Sequence, residues 1–343
     1  MNRKSSGLSV SRAIEGFLQF KAAEALSPGT ISEYRRDLEK WTAHMGDREL
    51  AAVEAEQVRE YLAWLRLEYK PKRFGGKDQP LSPKTIHNVW ISISAFFAWA
   101  HREFEYPDVM DGVPAPRFKK APFEPLKKDE IERLLKALEF SRETQTEERR
   151  KYVFRRPTAK RDRAMVLMLL DTGLRANELC SLKIGDIDIK TGKIDVKHGV
   201  IGGAKGGKGR VVFMGKSTRR SIWIYLASRE DGEDAEAPAF VGKFGRPVNK
   251  MSLRHLLTDL GNKAGIKKCH PHRFRHTFAI TYLRSGGDVF TLQSLLALQR
   301  DFVLLRDFAL LRDFKVARIV IPFLQINCKL RGWRLWRPSD RKQ

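Results

Sequence analysis

The run His272-Arg273-Phe274-Arg275-His276-Thr277-Phe278-Ala279, directly after Pro271, puts two imidazoles and two guanidinium groups into one short stretch. If that stretch is helical, His272 and Arg275 are i,i+3 neighbours and His272 and His276 are i,i+4 neighbours, so one face offers a proton-shuttling group beside a fixed cation. Guanidinium matches phosphate oxygens bidentately and imidazole titrates near neutrality, which makes a phosphate the natural target. The bland alternative is a basic amphipathic helix whose histidines are solvated or capping. Two further cations are candidates. Arg175 follows Asp171-Thr172-Gly173-Leu174, where Gly173 reads as a helix C-cap and sets Arg175 at the mouth of a turn. Lys205 lies in the glycine-rich loop from Gly202 to Gly209 and would be a mobile lysine delivered to nucleic acid. A surface arginine near a helix end and a flexible hairpin tip are the corresponding bland readings.

Composition narrows the partner. Lys and Arg number 65 against 41 Asp and Glu, a net charge of +24 with a pI near 10.1, and such an excess calls for a polyanion, nucleic acid ahead of membrane. The apolar runs Met165 to Leu170 and Val316 to Phe323 are too short to span a bilayer. The polar start, Met1 to Gly7, lacks the apolar stretch of a signal peptide. Cys180, Cys269 and Cys328 are widely spaced and form no C-x-x-C pair, so a reducing, cytoplasmic setting is expected. Gly202 and Gly207-Lys208 imitate a P-loop, but Gly209 replaces the Ser/Thr that binds the metal and a hairpin replaces the strand-to-helix turn, so a nucleotide triphosphatase is rejected. A metal-dependent nuclease built on Cys269, His270, His272 and His276 has its i,i+4 histidine pair but no carboxylate set to complete it. No metal or cofactor is expected.

The elements that must position these groups follow from periodicity. A chain of 343 residues has room for two domains or three. Ser11 to Leu26, Thr30 to Met45, Val58 to Tyr69 and Thr85 to Glu103 carry apolar residues at helical spacing, which predicts a four-helix domain over residues 8–112. The fourth, with Ile86, Val89, Trp90, Ile93, Phe96 and Phe97, is its best core element. Prolines 114, 116, 122 and 125 then predict an extended connector over 113–125. Leu126 to Phe140 and Arg161 to Leu170 read as helices around a polar loop or frayed helix, Ser141 to Lys160, with a short helix at Asn177 to Leu182. Three strand-like runs, Asp186 to Ile189, Lys193 to Val196 and Arg210 to Phe213, predict a small antiparallel sheet whose last hairpin holds Lys205. The fold class is therefore mainly α with a small antiparallel β-sheet.

In register, these pieces resemble the tyrosine recombinase, or phage integrase, family, most closely its Xer-like and integron-like members. Thr172-Gly173-Leu174-Arg175-Ala176-Asn177-Glu178-Leu179 looks like its first arginine box, the hairpin with Lys205 follows, and His272-x-x-Arg275-His276 completes the order over roughly Leu8 to Leu296. The resemblance implies an N-terminal SAM-like core-binding domain and an α+β catalytic domain over residues 126–296. It implies a cytoplasmic, nucleoid-associated bacterial protein that acts on double-stranded DNA, often of a mobile element, with other protomers in a tetramer. Arg175 and Arg275 would clamp the scissile phosphate, Lys205 would protonate the leaving 5′ oxygen, and His272 would assist proton transfer. His276 would be structural or a phosphate neighbour.

The pattern breaks after Leu296. Where the family expects Gly-His, Ala297-Leu298 stand, so Leu298 occupies the second histidine position; the nucleophilic tyrosine position falls on Asp307, and no tyrosine follows Tyr282. Instead Arg300-Asp301-Phe302 recurs at 306–308 and 312–314, a period that brings no single face of a helix together. Residues 297–343 are accordingly read as an atypical basic tail, an aberrant C-terminus or a basic aromatic segment holding nucleic acid. Cleavage by this chain alone is expected to fail unless a tyrosine is supplied by a neighbouring protomer. The alternative function is an inactive DNA-binding protein that occupies recombination sites.

Overall fold

The computed structural model describes residues 7–71, 79–119, 124–139, 144–146, 149–152, 156–197 and 209–297, with 144–152 described by backbone alone. Lys205, Leu298, Asp307 and the repeated segment lie outside the described residues. The chain divides into two compact units, residues 1–121 and residues 122–343.

The first unit is built on four helices: α1 (Val10–Ala23), α2 (Pro28–Met45), α3 (Ala55–Leu67) and α4 (Pro83–Phe104). Two of them share one start signal. Ser27 and Ser82 cap α2 and α4, each accepting from the backbone N–H three residues on, with proline in the first turn. A side-chain oxygen there satisfies one of the helix's free N–H groups, and proline lacks an N–H that would need a partner. The second helix therefore begins at Pro28, earlier than Thr30, because the Ser-Pro pair is its start and not a separate turn. Phe17, Leu38, Trp41, Val58, Tyr61, Leu65, Ile93 and Phe96 form the core. Burying each large side chain contributes about 1.5–3 kcal/mol. The connector leaves along α4. Trp90 Nε1 donates to the Val113 carbonyl at 3.1 Å, and His87 Nδ1 lies 2.9 Å from the Pro116 carbonyl. Residues 113–119 have no regular secondary structure, as the prolines predict.

The second unit opens with α5 (Lys128–Ala137), followed by a hairpin of β1 (Thr144–Thr146) and β2 (Arg149–Tyr152). Backbone pairing thus occurs inside the stretch read as polar loop or frayed helix. Then come α6 (Ala159–Thr172), α7 (Ala176–Ser181), β3 (Lys193–Val196), β4 (Arg210–Phe213), α8 (Lys216–Leu226), α9 (Lys250–Ala264), α10 (Pro271–Arg284) and α11 (Val289–Leu296). Helix α6 is central, with Ala164, Met165, Val166, Met168 and Leu169 all buried. At its start the fully buried Asp162 accepts from Arg156, Thr158 and Arg161, so its charge is compensated on both oxygens.

Strands β3 and β4 pair antiparallel from Lys193↔Phe213 to Val196↔Arg210. The third predicted strand does not form. Ile184–Asp186 is a 3₁₀ turn, and only Ile187 bridges to Ile194. The reason is local: Asp186 accepts from the Lys183 N–H, and Asp188 accepts from the N–H groups of Lys190 and Thr191. These carboxylates offer the backbone an alternative to the ladder.

Candidate functional site

The site is assembled from the turn after α6, the start of α7, the root of β4, the middle of α10 and the end of α11. Gly173 ends α6 with φ of 63°. A Cβ there would sit 2.5 Å from the Phe278 ring and 2.9 Å from Leu296, so the chain passes α10 and α11 too closely for any side chain. Two residues later Arg175 caps α7. Its backbone N–H donates to Glu178 Oε2 at 2.7 Å and its Nη1 to Oε1 at 3.1 Å.

Helix α10 begins where proline predicts, with His270 as its cap accepting from the Arg273 N–H. Arg275 is buried at 3% exposure; Nη1 donates to the Gly173 carbonyl at 2.8 Å and Nη2 to the Leu296 carbonyl. Arg175 Nη2 donates to the Ala297 carbonyl at 3.2 Å, and Arg210 Nε to the Leu295 carbonyl at 2.6 Å. Three consecutive carbonyls at the end of α11 thus each accept from a different guanidinium. The last carbonyls of a helix have no partner within it and carry the negative end of its dipole, so cations are favoured there.

Glu178 organises the cations. Besides Arg175, Arg210 donates to it through Nη1 at 2.9 Å and Nη2 at 2.7 Å. Burial alone would raise its pKa, but the Arg210 fork and the Arg175 bonds outweigh it and hold the carboxyl at about 2. At neutral pH the carboxylate is therefore charged and shared.

The histidines divide by exposure. His272 is exposed and its ring meets His276 edge to face at 4.6 Å between centroids. His276 is buried, and burial together with His272, Arg275 and His270 pushes its pKa down to about 3, so it is neutral. Arg273, between them, turns away from this cluster. It donates to the carbonyls of Glu124 and Lys267 and to the Glu130 carboxylate, which anchors the entry of the second unit onto α10.

The structure therefore brings Arg175 and Arg275 to one place, the end of α11, and sets His272 on the exposed side of the same helix as Arg275. Reading the sequence missed Glu178 and Arg210. The signals were present: a glutamate three residues into a short helix after a capping position, and an arginine opening a strand-like run. Among the described residues no group of three or more His, Cys, Asp or Glu is placed to hold a metal ion, and burial pushes the Cys269 thiol up to about 11. No described helix is long and apolar enough to cross a membrane.

A helical unit is followed by a mixed unit in which guanidiniums converge. The solved structure of the Tn1549 transposon integrase in complex with transposon right end DNA matches with a TM-score of 0.67 at 20% identity, covering 93% of this chain and 100% of that one. A lambda integrase dimer bound to a core site matches with a TM-score of 0.62 at 16% identity, covering 88% and 95%. In sequence, residues 14–104 match the phage integrase N-terminal SAM-like domain and residues 124–301 the phage integrase family. Tyrosine recombinase XerA of Thermococcus kodakarensis is 30% identical over 286 residues, 82% of this chain and 85% of that protein. XerC of Xanthomonas campestris pv. campestris is 28% identical over 292 residues, 83% and 80%. The chain belongs to the phage integrase family of tyrosine recombinases.

Proposed function

We propose that this chain is by lineage a site-specific DNA recombinase or integrase that binds duplex DNA at a recombination site and does not cleave it unaided. The observation that carries the reading is the meeting of Arg175 and Arg275 at one point in a member of this family. Two guanidiniums so placed suit a phosphodiester whose oxygens gain charge in the transition state. The donors that hold the Leu296 and Ala297 carbonyls are the ones a phosphate would use, so DNA has to compete with the end of α11 for them. Lys205 would deliver the proton to the leaving oxygen, and His272, exposed beside the buried neutral His276, would move a proton at the same phosphate. No metal or cofactor enters the chemistry.

The attacking group is the missing part. No tyrosine follows Tyr282, and the expected position is Asp307, a carboxylate. That favours the second reading, a protein that occupies recombination sites without cutting, or one completed by a tyrosine from a neighbouring protomer in the family's tetramer. A cytoplasmic, nucleoid-associated location and a domain division at 8–112, 113–125, 126–296 and 297–343 belong to the same proposal.

The test is a suicide-substrate assay with the purified full chain, alongside duplex binding over a salt series. The expected result is binding that weakens steeply with salt and no covalent adduct. An adduct formed by the chain alone overturns the inactive reading; duplex affinity with no salt slope overturns the DNA-binding one.

A further inference from the structure

We infer that Arg210 is a positioning residue of the site: it ties the start of β4 to Glu178 on α7 and to the end of α11, so that three elements move as one. The inference rests on reading Arg175 and Arg275 as phosphate-handling groups, and its own content is the mechanical link among the three elements.

Arg210 is paired with Val196 at the last rung of the β3–β4 ladder. Its side chain lies on the inward face of β4 with Val212, whereas Val211 and Phe213 face outward. A position on the inward face at the edge of a core asks only for an apolar residue. An arginine there, with its side chain 12% exposed, has its charge compensated by the Glu178 carboxylate. Buried pairs of this kind add little net stability over a well-packed apolar residue, so stability alone does not account for it.

What the arginine adds is geometry. Its fork grips both oxygens of Glu178, and its Nε reaches the Leu295 carbonyl. Glu178 in turn holds the backbone and the side chain of Arg175. The α11 end touched by Arg210 is the one touched by Arg175 and Arg275. A displacement of the start of β4 is thereby passed to the arginine pair through two side chains. Lysine cannot substitute, because one ammonium has neither the planar fork nor a separate Nε donor.

The test compares the full wild-type chain with R210M and R210K, the first chosen because it keeps an apolar stem in place. Amide hydrogen exchange is followed in Gln293–Ala297, in Arg210–Phe213 and, as reference, in Leu253–Leu260 of α9, and the affinity for a generic duplex is followed against pH. The expected result is exchange about tenfold faster in both Gln293–Ala297 and Arg210–Phe213 in each variant, with α9 unchanged. Duplex affinity in R210M should also gain a pH dependence toward the ordinary glutamate range, because Glu178 loses the largest of the partners that hold it ionised, whereas R210K keeps a cation there. Wild-type exchange at Gln293–Ala297 in both variants overturns the inference, and so does equal acceleration in α9, which would mark a general core role. Failure of the wild-type chain to bind duplex, with the exchange changes as expected, overturns the DNA reading and upholds the link made by Arg210.

Discussion

Arg275 donates through Nη1 to the carbonyl of Gly173 at 2.8 Å, which ties the buried middle of α10 to the turn that presents Arg175. The two arginines stand 100 residues apart in sequence, and this one bond couples the positions of their backbones. Substitutions on either side of it should be felt on the other.

Gly173→Ala is expected to lower stability by about 2–3 kcal/mol, since it adds left-handed strain to a clash with Phe278. Urea unfolding measures it. A loss below half a kcal/mol would mean that α10 and α11 yield at little cost.

Arg275→Ala should cost more stability than Arg175→Ala. Arg275 is 3% exposed and its loss strands the carbonyls of Gly173 and Leu296, whereas the Arg175 side chain is 30% exposed. The expected penalty for Arg275→Ala is about 2–4 kcal/mol, read by thermal or chemical unfolding. Both variants should weaken duplex binding and reduce its salt slope, each by about one counterion.

Glu178 makes the fold acid-sensitive at low pH. Its folded pKa of about 2 lies below the ordinary 4.5, so its contribution is complete above pH 4.5 and is lost as pH falls toward 2. The contribution is on the order of 3 kcal/mol. Glu178→Gln should be less stable than wild type at neutral pH and should lack this acid-dependent loss; parallel stability curves for the two proteins between those pH values would refute the assignment.

His276 acts over a higher window. The unfolded chain takes up its proton near pH 6.5 and the folded one only near 3, so stability falls as pH drops from 6.5 toward 3. The loss by pH 4.5 is on the order of 3 kcal/mol. His276→Asn should flatten the stability curve in that interval, measured by unfolding at a series of pH values.

Much of the architecture was legible in the residues. Apolar periodicity and the Gly173 stop are local signals, each resting on the geometry of a few neighbouring bonds, and they located α1 to α4 and α6 closely. The third strand was misjudged because alternation at Asp186 to Ile189 is also satisfied by a turn in which Asp186 and Asp188 bond to the backbone. Helices α8, α9 and α11 were not read. The first leaves Trp223 and Ile224 exposed, which blurs its apolar face, and the last is only eight residues long.

By itself, then, the sequence determined the chain's basic charge, the four helices of its first unit, its arginine boxes and the lack of a tyrosine after Tyr282, all of which are properties of residue type and spacing. Only the tertiary structure decided that Glu178 and Arg210 join Arg175, that Arg275 faces inward while His272 faces out, and that three carbonyls of α11 hold the guanidiniums. Those pairings link residues up to 122 positions apart. Local periodicity carries no information about which distant carboxylate or carbonyl will compensate a buried cation; that is settled when the core packs and leaves each charge its nearest available partner.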